Sequence, residues 1–279
     1  MNRILVLLSI ILVLVAGLAT TGYVSAAPSA DFHQINDDVF DSWEICRTRA
    51  FGEDGFYQLS ETTFRPVIVF ESLGENAALA YSLGQQIASK YPDRLQRAEA
   101  VFRFVQDRVD YTPDIDQFDY EEFALNADEL ATAIDQNGVG YGDCEDSAVL
   151  LAVMYKGAGY RSAIVIGSSH TAALVYLPDY KKATAVFVLE GESGWVWAEA
   201  TGKKNPLGWV SNKFINVEMA AYEIGEEAIT LVKPSTTPSV AVAQGGGGTS
   251  SRPFSFISVI GFLWLMSMFR RRKRRRRVR

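Results

Sequence analysis

The chain has 279 residues and a formal net charge of −6 at neutral pH, and nine Lys or Arg crowd its last ten positions. Without that tail the chain carries −15, which argues against a nucleic-acid partner and for solubility in a cation-rich exterior. About 205 residues lie between the terminal segments, enough for one domain with a large core.

Arg3, an apolar run over 4–18 and the small-residue stretch Val24-Ser25-Ala26-Ala27 describe a secretory signal peptide over 1–26. An N-terminal extension over 27–75 follows, with His33 read as a surface residue and Cys46 as a buried packing residue or a free thiol. In 75–89, Ala78, Leu79, Leu83, Gln86 and Ile87 recur at helical spacing. Pro92-Asp93-Arg94 opens a second helix, whose face of Ala98, Val101, Phe102, Val105 and Val109 runs up to Tyr111. The acidic stretch 114–122 reads as a solvated loop. It lacks the glycine and the terminal glutamate of a calcium-binding EF-hand loop.

Asn126-Ala127-Asp128-Glu129-Leu130 starts a short helix that Asn137-Gly138 stops. Asp143 then caps a helix beginning at Cys144. The body of this helix, 148–155, is apolar on nearly every face and so belongs at the centre of a domain. Gly157 and Gly159 end it. Strand-like runs over 162–167, 171–177, 183–189 and 194–199 complete an α+β domain spanning 76–232.

A Pro/Ser/Thr/Gly-rich linker over 233–253 leads to the apolar segment 254–269 and the basic tail 270–279. The apolar segment is read as a transmembrane helix. Its 16 residues are short of the usual ~20, but the purely basic flank marks the cytoplasmic side. The order of these parts resembles the tripartite C-terminal sorting signals of prokaryotic surface proteins, which implies a sorting protease acting near Gly245 to Gly248.

The chemistry centres on three residues. Cys144 and Cys46 are the only cysteines, and a disulfide between them is the structural alternative for an exported chain. A cysteine at the first turn of a buried helix, however, meets the positive end of the helix dipole, which favours thiolate, and free N–H groups able to hold an oxyanion. His170, one of two histidines, sits at the entry to a strand as its proton partner. Glu199, in Trp195-Val196-Trp197-Ala198-Glu199-Ala200-Thr201, offers the third group that fixes the imidazole. Asp143, Glu145 and Asp146 read as caps and local hydrogen-bond partners, and Trp195 and Trp197 as core rather than cleft lining.

Gly142-Asp143-Cys144-Glu145-Asp146 running into the buried helix, Gly159-Tyr160-Arg161 before a strand, His170 followed by Thr-Ala-Ala-Leu-Val-Tyr, and Trp197-Ala198-Glu199-Ala200-Thr201-Gly202 together resemble the transglutaminase-like superfamily. The likeness covers roughly 77–208. It implies a papain-like core in which the nucleophile helix packs on an antiparallel sheet. It also implies a catalytic triad of Cys144 as nucleophile, His170 as general base then acid, and Glu199 as orienter. In this family the acid is more usually Asp, and Glu is a methylene longer.

The expected protein is an exported, membrane-anchored cysteine enzyme acting on a protein or peptide substrate, with neither cofactor nor metal. Water as acyl acceptor makes it a peptidase or amidase, and an amine makes it a transglutaminase. A non-catalytic surface-binding module of the same fold is the third reading.

Overall fold

The computed structural model describes residues 31–59, 64–167, 170–225 and 240–244. The expected signal peptide, apolar segment and basic tail lie outside them, and among the described residues no helix is long and apolar enough to cross a membrane.

The chain begins with a small five-stranded sheet of β1 (His33–Ile35), β2 (Asp38–Phe40), β3 (Cys46–Gly52), β4 (Gly55–Leu59) and β5 (Phe64–Arg65), followed by the short helix α1 (Val67–Phe70). This stretch is not a detached extension. Phe56, Tyr57, Phe64 and the whole of α1 are buried in the main core. Fully buried Arg47 pins it there, with its guanidinium on Asp41, Glu71 and Glu129 and on the Ala124 carbonyl.

Helices α2 (Leu79–Lys90) and α3 (Arg94–Arg108) come next. The Asp93 side chain caps α3 by accepting from the Gln96 N–H at 2.8 Å. Contrary to the sequence expectation, α3 stops at Arg108. Val109 opens strand β6 (Val109–Tyr111), which pairs in parallel with β7 (Gly140–Gly142). The β-branched Val109 and an available strand partner outweigh the helical period.

The acidic stretch expected as a solvated loop starts instead with the short helix α4 (Asp114–Phe118). Asp114 is buried, and its Oδ2 accepts from the Phe123 N–H at 2.6 Å. Helix α5 (Ala127–Asn137) carries a reciprocal capping box between Asn126 and Glu129 and ends on Gly138 at φ 78°.

Helix α6 (Cys144–Gly157) runs through the centre of the core, with every residue from Glu145 to Tyr155 buried. It approaches α2 at two glycines. A Cβ on Gly84 would lie 2.1 Å from the Met154 carbonyl oxygen, and one on Gly157 2.0 Å from that of Tyr81.

The strands β8 (Ser162–Gly167), β9 (His170–Tyr176), β10 (Val186–Leu189), β11 (Glu192–Ala198), β12 (Glu218–Glu223) and β13 (Val240–Gln244) close into a barrel in the order β10-β11-β9-β8-β12-β13. The stretch expected as linker thus contains a strand, in keeping with the Val-Ala-Val-Ala-Gln sequence there. One barrel face, with Ile164, Ile166, Ala173, Val175 and Val196, joins the core around α6. Trp195, Trp197, Phe187 and Leu174 form a second apolar cluster on the other.

Register then sets the site. His170 opens β9 opposite Gly167, and Ala198 lies opposite Ala173, so the chain leaving β11 runs toward the His170 end of β9.

Candidate active site

Cys144 is the first residue of α6. The Asp143 side chain accepts from the Glu145 N–H at 3.2 Å, while Asp146 reaches back to the Asp143 N–H at 3.2 Å and to the Leu125 N–H at 2.8 Å. These acids therefore hold the start of α6 in place. They also set its electrostatics against the sequence expectation of a thiolate. Although Cys144 keeps some accessible surface, the protein packed around it pushes its thiol up to about 12, and the Asp143 charge adds to that rise.

The thiol keeps its proton and donates it to Glu145 Oε2 at 3.1 Å. The Thr171 backbone N–H also faces the sulfur and favours its ionised form. That contact brings the start of β9, and with it the neighbour of His170, against the start of α6. Cys46 is likewise a free thiol, fully buried, so the disulfide alternative does not hold.

The His170 ring packs against Phe214, at 5.5 Å between centroids, and Trp197, at 6.3 Å, two rings that also stack on each other at 5.1 Å. Its Nε2 stands 3.1 Å from Glu199 Oε1, without the alignment of a hydrogen bond. Oε1 also accepts from the Thr201 hydroxyl at 2.8 Å, and Oε2 from the Trp197 indole N–H at 3.2 Å. Burial alone would raise this carboxyl, but His170, Thr201 and Trp197 hold it down at about 2. The turn beyond is pinned by the Gln106 amide of α3, which donates to the Gly202 and Asn205 carbonyls.

His170 and Glu199 thus meet at the barrel rim, and the neighbouring Thr171 touches Cys144 at the start of α6. The sequence reading missed three contributors. Thr201 and Trp197 clamp the acid, and their spacing two residues either side of Glu199 was the available signal. Tyr57, from β4, puts a buried phenol near Glu145, Thr171 and Cys144, and no local motif marks it. Tyr111 and Tyr141 stand exposed, and Tyr111 lies near enough to Asp143 to feel its charge.

Asp114, Asp143 and Asp146 bring carboxylate oxygens within 4.8 Å of one another, as Asp143, Cys144 and Glu145 bring their donor atoms. Both Asp146 oxygens already accept backbone N–H groups, and we assign no metal to either group.

Residues 81–213 match the family model described as the transglutaminase-like superfamily. No curated protein matches the chain.

Proposed function

Because residues 81–213 form a transglutaminase-like domain, a superfamily of generally cysteine-dependent acyl transferases and hydrolases, we propose that this protein forms a thioester acyl-enzyme on Cys144 and passes the acyl group to water. It is then a peptidase or amidase acting on a protein or peptide. The observation that carries this reading is the Glu199 carboxylate, clamped by Thr201 and Trp197 and set 3.1 Å from His170 Nε2. That contact leaves Nδ1 as the nitrogen to serve the sulfur.

In the reaction, substrate entry draws the thiol away from Glu145, and His170 takes its proton. The sulfur attacks the acyl carbonyl, and the Cys144 backbone N–H, left over once the Asp143 side chain has taken the Glu145 and Asp146 N–H groups, stabilises the oxyanion. His170 then protonates the departing amine. In the second half it takes a proton from water, which opens the thioester. Glu199 holds the imidazole in one tautomer and stabilises the imidazolium.

Export through residues 1–26, anchoring through 254–269 with the tail 270–279 in the cytoplasm, and cleavage near Gly245 to Gly248 place the domain on the extracytoplasmic side. A mature protein whose mass still includes residues 1–26 would remove this part of the proposal.

One observation favours a second reading, a non-catalytic binding module: the thiol is protonated and bonded to Glu145 rather than poised as thiolate. Peptide and amide libraries with and without a fluorescent primary amine decide among the readings. Hydrolysis that vanishes in Cys144→Ala is expected. Amine incorporation would indicate a crosslinking transglutaminase, and wild type and variant alike in both assays would indicate the module.

A further inference from the structure

Beyond β11 the chain carries Glu199 into a loop before it returns as β12. The base of this loop is tied to β11, where the Gly208 N–H donates to the Trp197 carbonyl at 2.9 Å. Its tip is tied to α3 by an exchange in both directions. The buried Gln106 amide of α3 donates to two carbonyls of the tip, Gly202 and Asn205, at 2.7 Å each. Lys203, between them, turns its ammonium back to the carbonyls of Gln106 at 2.9 Å and Val109 at 2.7 Å, with Asp110 Oδ1 at 3.0 Å. The last carbonyls of a helix have no partner within it and attract a cation, so Lys203 completes the end of α3 while fastening the loop. The tip itself is tight. The Asn205 N–H donates to the Gly202 carbonyl at 3.0 Å, and a Cβ on Gly202 would lie 2.3 Å from Asn205 Nδ2.

The place where the tip is fastened is also where the other side of the site begins. Val109 and Asp110, both held by Lys203, open β6. That strand pairs with β7 through Val109 with Gly140 and Tyr111 with Gly142, and the Thr112 N–H donates to the Gly142 carbonyl at 3.0 Å. Cys144 follows Gly142 by two residues. We propose that Gln106 and Lys203 are positioning residues, a clasp that fastens the Glu199 loop to the strand pair leading into Cys144 and so keeps acid and imidazole in register with the sulfur. The link to the acid is short. Thr201, whose hydroxyl donates to Glu199 Oε1 at 2.8 Å, directly precedes Gly202, whose carbonyl Gln106 holds. A tip released from α3 carries Thr201 with it, and Glu199 then turns away from His170.

This inference deepens the acyl-enzyme reading and rests on it, and its first readout needs no substrate. Nitrogen-15 NMR of the two imidazoles, with His170 identified by its absence in His170→Gln, reports which ring nitrogen carries the hydrogen. In the wild type one tautomer is expected, with the hydrogen on the Nε2 that faces Glu199. In Lys203→Met and Gln106→Leu the two His170 nitrogens are expected to move toward a tautomer average, in proteins that thermal melts show to be folded. A fixed tautomer in both variants, whatever their melting temperatures, would reduce the clasp to a fold support and overturn the proposal. The second readout is turnover of 4-nitrophenyl acetate, a probe too small to reach the loop tip from the sulfur. Lys203→Met is expected to lower kcat about tenfold with KM little changed, because orientation and not binding is lost. In a Glu199→Gln background the same substitution is expected to cost nothing further, and a second tenfold drop there would show that Lys203 does not act through the acid. If Cys144→Ala turns the ester over as the wild type does, the acyl-enzyme reading fails, and the imidazole spectra still decide the clasp.

Discussion

At Glu199 a carboxylate one methylene longer than the usual Asp is put to use. Its two oxygens meet three partners at once, His170 and Thr201 on one and Trp197 on the other. Glu199→Asp withdraws the carboxylate by more than an ångström and cannot keep all three. We expect kcat to fall about 10²-fold with KM little changed, since the loss is one of imidazole orientation rather than of substrate contact. A variant with wild-type kcat would mean that Glu199 does not orient His170.

Two buried carboxyls also give the stability profile opposite slopes. Glu199 is held at about 2, so its contribution is full above the ordinary carboxylate range and is lost as pH falls from about 4.5 toward 2. Asp114 is pushed up to about 7 by burial and by Asp143, so its folded form favours the proton, and stability declines as pH rises from about 4 to 7. Asp114→Asn is expected to flatten that decline, which linkage sets at up to about 1.4 kcal/mol per pH unit. Urea midpoints measured at pH 4 and pH 8 test it, and an unchanged difference between them would refute it.

Among the elements, the helix starts at Cys144 and Asn126 and the stop at Gly138 were legible because caps and glycines act locally. The end of α3 and the burial of Asp114 were not, because each depends on a partner distant in sequence: Gly140 for Val109, Phe123 for Asp114. The thiol was misjudged for a related reason. The helix dipole can be read from the sequence, whereas the density of protein around Cys144 cannot.

The α2–α6 crossing makes the clearest prediction at this scale. Gly84→Ala would force a methyl to within 2.1 Å of the Met154 carbonyl oxygen and must push the nucleophile helix aside. A loss of about 1–3 kcal/mol is expected, with reduced activity even where the protein remains folded. Unchanged stability and turnover would show that the two helices have slack between them.

For the whole molecule, the sequence divided extension from domain at residue 75, and the packing crosses that line. Arg47 in β3 balances Asp41 and Glu71 on its own side and Glu129 in α5 on the other, all around a side chain with no solvent contact. Arg47→Met leaves buried carboxylates uncompensated and is expected to cost about 3–5 kcal/mol in urea unfolding. A chain beginning at residue 76 would expose the apolar surface that Phe56, Phe64 and α1 now cover, and is expected to be insoluble or molten. A cooperative unfolding transition in that shortened chain would show that the first five strands are dispensable.

The Trp197 indole is both a hydrogen-bond donor to Glu199 and a stacking neighbour of His170, buried beside Trp195 in the barrel. The protein therefore carries its own optical gauge. Emission from this pair depends on the charge and placement of His170 and Glu199, so the acyl-enzyme formation proposed on Cys144 is expected to appear as a fluorescence change in the unlabelled chain. Replacing Trp197 with Phe would abolish the change while leaving Trp43, Trp195, Trp209 and Trp264 emitting.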